Sequence, residues 1–209
     1  GGGPGAGPIA VGKKLSKFLP IPRISKRKNG RYFFDHDEKD SIGQLHSFYG
    51  NFSILLRAYV YILSLGDDGL KSMSRNAIIN ANYLKNSLNE YFDIPYSEGT
   101  LHEFVASGLQ QKDKGVRVLD IAKSLLDYGF HAPTIYFPIN VPESIMIEPT
   151  ESEDKSTLDR FVDAMLEINK NIDTDKDKII NAPFNTPVSR LDETKANREL
   201  NLRWTKNEL

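Results

Sequence analysis

The sequence feature that most constrains the fold is a helical hydrophobic period that begins near Phe52. Apolar side chains recur at steps of three and four residues until Gly66, where the run stops. A second stripe of the same period follows from Asp68 to Tyr91, with lysine and asparagine on the opposite face. The two runs predict a long helical hairpin, whose first helix, over 52–65, is expected to be largely buried. The second stripe consists of Leu70, Met73, Ala77, Ala81, Leu84 and Leu88.

Short strand and helix patterns alternate in the second half of the chain. Strand-like runs are separated by proline and glycine, and amphipathic helical stretches lie between and after them. This alternation predicts a small α/β layer, with Gly129 as the C-terminal cap of one helix. Nearer the N-terminus, Asn29-Gly30 predicts the turn of a small hairpin over 23–34. The predicted strands are 103–106, 134–137 and 145–147, and the predicted helices are 118–128 and 154–171.

These patterns divide the chain into four regions. Residues 1–45 are a glycine- and proline-rich loop and extended arm, 46–92 the helical connection, 93–175 a small α/β domain and 176–209 an extended C-terminal tail. Glycine makes the first of these costly to order, and the charged, proline-rich segment after Asn181 cannot close a helix or sheet by itself. Both ends are therefore expected to rest on surfaces supplied by other chains or by another domain.

Composition excludes several classes of function. With 39% apolar residues, the 209-residue chain can bury a core, and its net charge of -1 provides no broad field that attracts nucleic acid or a membrane. The lack of cysteine excludes disulfides and thiolate metal sites, and it favours a cytoplasmic location. His102-Glu103 lacks the second histidine of a zinc-binding helix, so no metal site is predicted.

The segment from Gly7 to Lys13 reproduces most of the spacing of a phosphate-binding loop. In such loops backbone N–H groups and a lysine hold the phosphates. Lys14 stands where the motif requires a serine or threonine, and no strand can precede the motif. A nucleotide-binding domain that uses this segment is therefore an unfavoured alternative. A stand-alone interaction module, whose loops are purely structural, is another.

Two loops next to predicted strands carry polar groups suited to a binding or catalytic site. His131-Ala132-Pro133-Thr134 places an imidazole and a hydroxyl on a rigid turn directly before a strand. Glu148-Pro149-Thr150-Glu151 follows another strand in the same way. For the second loop, residue chemistry alone favours helix capping, in which Thr150 or Ser152 caps a helix that begins near Asp154.

A series of short strings, taken in order, resembles one family closely. In this order they look like the second subunit of the two-subunit P-protein family of the glycine cleavage system, from Gly1 to the tail near Trp204. The likeness implies the C-terminal part of a fold-type I, aspartate-aminotransferase-like enzyme. The strings are Gly1-Gly2-Gly3-Pro4-Gly5-Ala6-Gly7-Pro8, Tyr49-Gly50-Asn51-Phe52, Asn80-Ala81-Asn82-Tyr83-Leu84, His102-Glu103-Phe104, Tyr128-Gly129-Phe130-His131-Ala132-Pro133-Thr134, Met146-Ile147-Glu148-Pro149-Thr150-Glu151-Ser152-Glu153 and Thr186-Pro187-Val188.

The resemblance implies a function and a set of site residues. The family uses pyridoxal phosphate to release carbon dioxide from glycine, and it passes the aminomethyl group to the lipoyl arm of the H-protein. The second subunit works with subunit 1 in a heterotetramer. The lysine that bonds the cofactor is implied to lie before Gly1, so these residues by themselves are expected to be inactive. The implied candidates are His131 and Thr134 for catalysis, Gly1, Gly2, Gly3, Gly5 and Gly7 for the cofactor, and His102, Glu148 and Thr150 for the substrate.

Overall fold

The chain divides into two compact units, residues 1–70 and 71–209. The computed structural model describes residues 4–45, 49–203 and 206. The four regions expected from the sequence do not coincide with these two units, and their boundaries stay a prediction. Within the described residues, no helix is both long enough and apolar enough to cross a membrane.

The first unit contains the small hairpin that the sequence predicts. Strand β1 (Arg23–Lys26) pairs with strand β2 (Tyr32–Asp35) in antiparallel register, with Arg23 opposite Asp35. The connecting turn is closed by a hydrogen bond of 2.9 Å from the Gly30 N–H to the Arg27 carbonyl oxygen. Gly30 has φ 84°, a conformation that favours glycine, so the Asn-Gly signal identified the turn correctly.

Helix α1 (Phe52–Leu88) contains both predicted helical runs, joined by a kink with no intervening loop. Gly66 lies at the kink with φ 60° and ψ -171°, which confirms the predicted break. The first run, however, is not buried within this chain: Phe52 is 67% exposed and Tyr59 is 61% exposed. The expectation of burial is wrong here because periodicity shows which residues share a face but not which surface covers that face.

The second unit contains a three-stranded antiparallel sheet. Its strands are β3 (Phe104–Ser107), β4 (Thr134–Ile135) and β5 (Ser144–Ile147), in the order β3-β5-β4. All three predicted strands are present, although β4 is shorter than expected. Tyr136 follows β4 with φ 60°, and this left-handed residue ends the extended backbone.

Five helices accompany the sheet among the described residues of the second unit. They are α2 (Leu109–Asp113), α3 (Val118–Asp127), α4 (Lys155–Thr174), α5 (Lys176–Asn181) and α6 (Glu193–Arg198). The sequence predicted α3 and α4 but none of the three short helices. A helix of five or six residues is too short to show a hydrophobic period.

The cap of α4 differs from the expected one. The Asp154 carboxylate accepts a hydrogen bond of 2.7 Å from the Thr157 N–H, so Asp154 is the N-cap. The hydroxyls of Thr150 and Ser152 bond to each other at 2.7 Å. The prediction that Thr150 or Ser152 caps the helix is therefore wrong. Their two hydroxyls instead bond to each other within the loop before α4.

The core of the second unit lies between the sheet and the helices. The later part of α1 contributes four buried members of the predicted stripe, Ala77, Ala81, Leu84 and Leu88. The first two members of that stripe, Leu70 and Met73, are only half-buried. On β5, Ile145 and Ile147 point into the core while Met146 is half-buried on the other face. Further buried members of this cluster are Phe92, Phe104, Val118, Ile121, Leu125, Leu158, Met165, Ile168, Ile172 and Ile179.

The segment after Asn181 packs on its own unit as far as Arg190. The Asp127 carboxylate accepts hydrogen bonds from the N–H groups of Phe184 (2.8 Å) and Asn185 (2.7 Å). Arg190 forms an ion pair of 2.9 Å with the buried carboxylate of Asp120. The expectation that this segment rests only on foreign surfaces is therefore wrong, because two carboxylates of α3 anchor its polar groups. We call residues 182–190 the strap.

Candidate active site

One end of the three-stranded sheet gathers the candidate residues of the second unit. Phe104, the first residue of β3, pairs with Ile147, and Thr134, the first residue of β4, pairs with Met146. Because both strands run antiparallel to the central β5, their N-terminal ends lie beside its C-terminal end. We call this end the sheet rim. It carries His102, His131, Thr134, Glu148 and Thr150.

The rim residues are open to solvent. His102, His131, Thr134 and Glu148 are exposed, and Thr150 is half-buried. The side chain of His131 is therefore accessible from solvent. Of the cofactor candidates, Gly5 and Gly7 are exposed in the first unit, whereas Gly1, Gly2 and Gly3 lie outside the described residues.

The local sequence around His131 explains its position. Gly129 adopts φ 80° and ends α3, and the Phe130 N–H donates to the Leu125 carbonyl oxygen at 3.1 Å. The Phe130 ring then packs edge-to-face against Phe161 of α4, with 5.2 Å between centroids. Glycine therefore turns the chain and Phe130 anchors it, so that the next residue, His131, is presented at the rim.

Two asparagines on α1 hold the loops of the rim. The Asn80 side-chain amide donates to the carbonyl oxygens of Thr150 (2.9 Å) and Glu153 (3.1 Å), which fixes the loop after β5. The Asn82 amide donates to the Thr100 carbonyl oxygen at 3.1 Å, which fixes the loop before β3. Sequence reasoning included both residues in a resembling string but assigned them no role. Their sequence shows only that two amides lie beside an otherwise apolar stripe, and nothing in their spacing indicates which groups they bind.

A polar cluster on α1 and α4 lies next to the loop after β5. The Tyr83 hydroxyl donates to the Asp159 carboxylate, and the Lys155 ammonium lies 2.7 Å from that carboxylate. The hydrogen bond from Lys155, with a further one from Tyr83, lowers the pKa of Asp159. The sequence reading missed this cluster, because its members on α1 and α4 are far apart along the chain. It ties the start of α4 to the helix that carries Asn80.

The arrangement at the rim suits hydrogen bonding and proton exchange. Two imidazoles, a hydroxyl and a carboxylate lie on loops held by a rigid sheet and helix, where such groups are commonly presented to ligands. No group of three or more metal-ligating side chains occurs among the described residues. The phosphate-loop alternative is also unsupported, because Gly7 to Lys13 leads into a 3₁₀ turn at Ser16–Phe18 instead of a helix that could cradle phosphates.

Comparison with known proteins agrees with the resemblance seen in the sequence. The family described as "Glycine dehydrogenase, C-terminal domain" matches residues 73–187. The chain is 54% identical over 211 residues to the probable glycine dehydrogenase (decarboxylating) subunit 2 of Chloroherpeton thalassium, covering 100% of this chain and 43% of that protein. It is 55% identical over 206 residues to the protein of the same name from Bacillus licheniformis, covering 99% and 42%. The chain thus spans about two fifths of the length of these curated relatives.

A solved structure shows the same fold. It is the crystal structure of glycine decarboxylase (P-protein) of the glycine cleavage system in inhibitor-bound form, with a TM-score of 0.58 and 17% identity. The similarity covers 74% of this chain and 37% of that one, and it confirms the expected α/β class. Since the family match extends over more than half of the residues, the chain belongs to the family of glycine dehydrogenase C-terminal domains.

Proposed function

We propose that this chain is the C-terminal part of a pyridoxal-phosphate-dependent glycine decarboxylase. The enzyme releases carbon dioxide from glycine and passes the aminomethyl group to the lipoyl arm of an H-protein. The observation that carries the proposal is that the chain is over half identical to glycine dehydrogenase subunits, and the strand ends and loops of the sheet rim supply its candidate residues. The name "subunit 2" of these relatives supports subunit 1 as a partner, in a heterotetramer.

The rim fits one side of such a cofactor. The exposed imidazole of His131 and hydroxyl of Thr134 are groups that hydrogen-bond to phosphate or pyridine atoms; His131 lies in the loop before β4, and Thr134 is the first residue of that strand. Gly5 and Gly7 are exposed in the first unit and stay separate candidates for contact with the cofactor. Pyridoxal phosphate, when bound, supplies an electron sink for the departure of carbon dioxide.

The rim residues of this chain have separate proposed roles. His131 exchanges a proton at its imidazole, and Thr134 orients the cofactor through a hydrogen bond from its hydroxyl. Glu148 accepts hydrogen bonds from the amino group of glycine, while His102 and Thr150 hold the other end of the substrate. Asn80 and Asn82 have a positioning role: they hold the loops after β5 and before β3 and contact no substrate. A cytoplasmic location, expected from the lack of cysteine, is part of the same proposal.

The proposal is tested by replacing His131 and Thr134 in the natural-length subunit, assembled with subunit 1, pyridoxal phosphate and a lipoylated H-protein. Release of labelled carbon dioxide from carboxyl-labelled glycine is expected to fall about 100-fold in His131→Asn. Loss of one hydrogen bond in Thr134→Val is expected to reduce the rate about tenfold.

The matched control is His36→Asn, since His36 is an exposed histidine of the first unit. This variant is expected to retain the full rate. If His131→Asn decarboxylates glycine as fast as His36→Asn does, the rim is not the reaction site and the proposed role of the chain fails.

A further inference from the structure

The polar cluster of Tyr83, Lys155 and Asp159 joins α1 to the first turns of α4. Lys155 is the first residue of α4, and its ammonium group donates to the two carboxylate oxygens of Asp159 at 2.7 and 2.9 Å. The same ammonium group donates to the Tyr83 hydroxyl at 3.3 Å, and that hydroxyl donates to the Asp159 carboxylate. Each of the three side chains therefore contacts the other two, across two helices that are far apart in the sequence.

The exposure of the cluster shows that it contributes little to stability. The Lys155 and Asp159 side chains are 73% and 41% exposed. An ion pair between residues i and i+4 of a helix contributes little when water surrounds it. The Tyr83 ring, in contrast, is half-buried and packs against the hydrophobic core of the second unit. Its hydroxyl is therefore held in a fixed place, and it fixes where α4 begins relative to α1.

Asn80 and Tyr83 hold the two ends of one segment. They are three positions apart on α1, so their side chains lie on the same face of that helix. Asn80 donates to the Thr150 carbonyl oxygen at 2.9 Å, and Tyr83 contacts Lys155 at the start of α4. Two neighbouring side chains of one helix thus fix both ends of residues 150–155.

We propose that Tyr83 and Asp159 are positioning residues for the binding of glycine. The inference rests on the proposed function, in which Glu148 and Thr150 of the loop after β5 bind the substrate. By fixing the start of α4, the cluster holds this loop where both groups reach glycine, and the cluster itself touches no substrate. A displacement of about 1 Å in a group that binds substrate is enough to weaken that binding many-fold. A contact that adds little stability therefore has a measurable effect on substrate binding.

The first test is Tyr83→Phe in the natural-length subunit, assembled with subunit 1, pyridoxal phosphate and a lipoylated H-protein. This change keeps the ring on the core and removes only the hydroxyl. The KM for glycine is expected to rise about fivefold, with kcat within about twofold of the wild type, because the binding of glycine and of the transition state weakens alike. The matched control is Tyr96→Phe, which also removes a hydroxyl that forms a hydrogen bond, at 3.1 Å with Asn140. Both constants are expected to keep their wild-type values in this control.

Further variants test whether the cluster acts as a unit. Asp159→Ala is expected to raise the KM for glycine by the same factor of about five, and the double variant with Tyr83→Phe by no more than either single change. The reason is that each change removes the same contact between α1 and α4. Lys155→Arg keeps a cation that can bind the Asp159 carboxylate, so its KM should stay within about twofold of the wild type. A general loss of stability would instead lower the amount of active enzyme, and so kcat, without changing KM.

Glu148→Ala separates a failure of this inference from a failure of the proposed function. It removes the acceptor proposed for the amino group of glycine and is expected to raise KM at least about tenfold. If Glu148→Ala raises KM and Tyr83→Phe does not, the cluster has no positioning role and the proposed function stands. If Glu148→Ala leaves KM unchanged, the loop binds no glycine, and the inference fails together with the substrate role of the rim. A Tyr83→Phe variant that lowers kcat alone, or effects of Tyr83→Phe and Asp159→Ala that multiply in the double variant, would also overturn the inference.

Discussion

At the scale of single residues, Glu143 shows how one carboxylate joins three elements. It is buried directly before β5, its carboxylate lies 2.8 Å from the Lys112 ammonium, and it accepts a hydrogen bond of 3.1 Å from the Val118 N–H. Burial by itself would raise the pKa of Glu143, but the hydrogen bonds from Lys112 and Val118 lower it below the ordinary value. The ionised form therefore stabilises the contact between α2, the start of α3 and β5.

The lowered pKa of Glu143 predicts a pH-dependent stability. A carboxyl with a lowered pKa in the folded state contributes its stability above the unfolded pKa, and the contribution is lost as the pH falls through the folded pKa. Glu143→Gln is therefore expected to lower the free energy of unfolding by about 1 to 3 kcal/mol at pH about 7, and by much less at pH about 3.

Urea unfolding at both pH values measures this difference, with Glu90→Gln as the control because Glu90 is an exposed residue. A Glu143→Gln effect that stays the same at both pH values would show that the loss comes from altered packing and not from the charge.

At the scale of elements, the sequence predicted those parts whose pattern is local. The periods of α3 and α4, the Gly129 cap and the Asn29-Gly30 turn each depend on neighbouring residues, and all are present. The strap was mispredicted because its anchors, Asp120 and Asp127, lie about sixty to seventy positions before the groups they bind. No local pattern shows that a charged, proline-rich segment will find buried carboxylates.

The sheet rim likewise combines features that a local sequence pattern predicts with features that depend on distant residues. The loops that carry His131 and Glu148 were recognised from proline turns next to strands. That they lie at one end of a sheet depends on the register β3-β5-β4, which a single sequence does not define. The support from Asn80 and Asn82 was likewise missed, since an amide that bonds to carbonyl groups of a distant loop has no spacing signal.

The loop after β5 is predicted to depend on Asn80. Asn80→Ala removes two hydrogen bonds and leaves the carbonyl groups of Thr150 and Glu153 without this donor, so it is expected to cost about 1 to 2 kcal/mol of stability. Amide hydrogen exchange over 150–154 should accelerate. Asn86→Ala, at an exposed asparagine of the same helix, is the control and should leave the exchange unchanged. Equal exchange in the two variants would mean that the loop is held by other contacts.

At the scale of the whole molecule, the chain exposes apolar surface that its own first unit does not cover. The relatives are more than twice as long as the region this chain matches. The apolar side chains of α1 before the kink form one exposed surface, which we call the apolar run, and large contiguous patches of this kind mark interaction surfaces. Its members are Phe52, Leu55, Leu56, Tyr59, Val60 and Leu63.

The 209-residue chain by itself is predicted to self-associate through the apolar run. Burial of apolar surface yields roughly 25 cal/mol per Å², so pairing two such helices favours dimers or larger species at micromolar concentration. Sedimentation of the isolated chain should show them, and the double variant Leu56→Glu with Val60→Lys should restore a monomer. Ile24→Lys is the control, because Ile24 is 72% exposed on the hairpin and lies outside the run. A wild-type chain that sediments as a monomer, or a double variant that associates as strongly as Ile24→Lys, would show that this helix is stable in water without a partner.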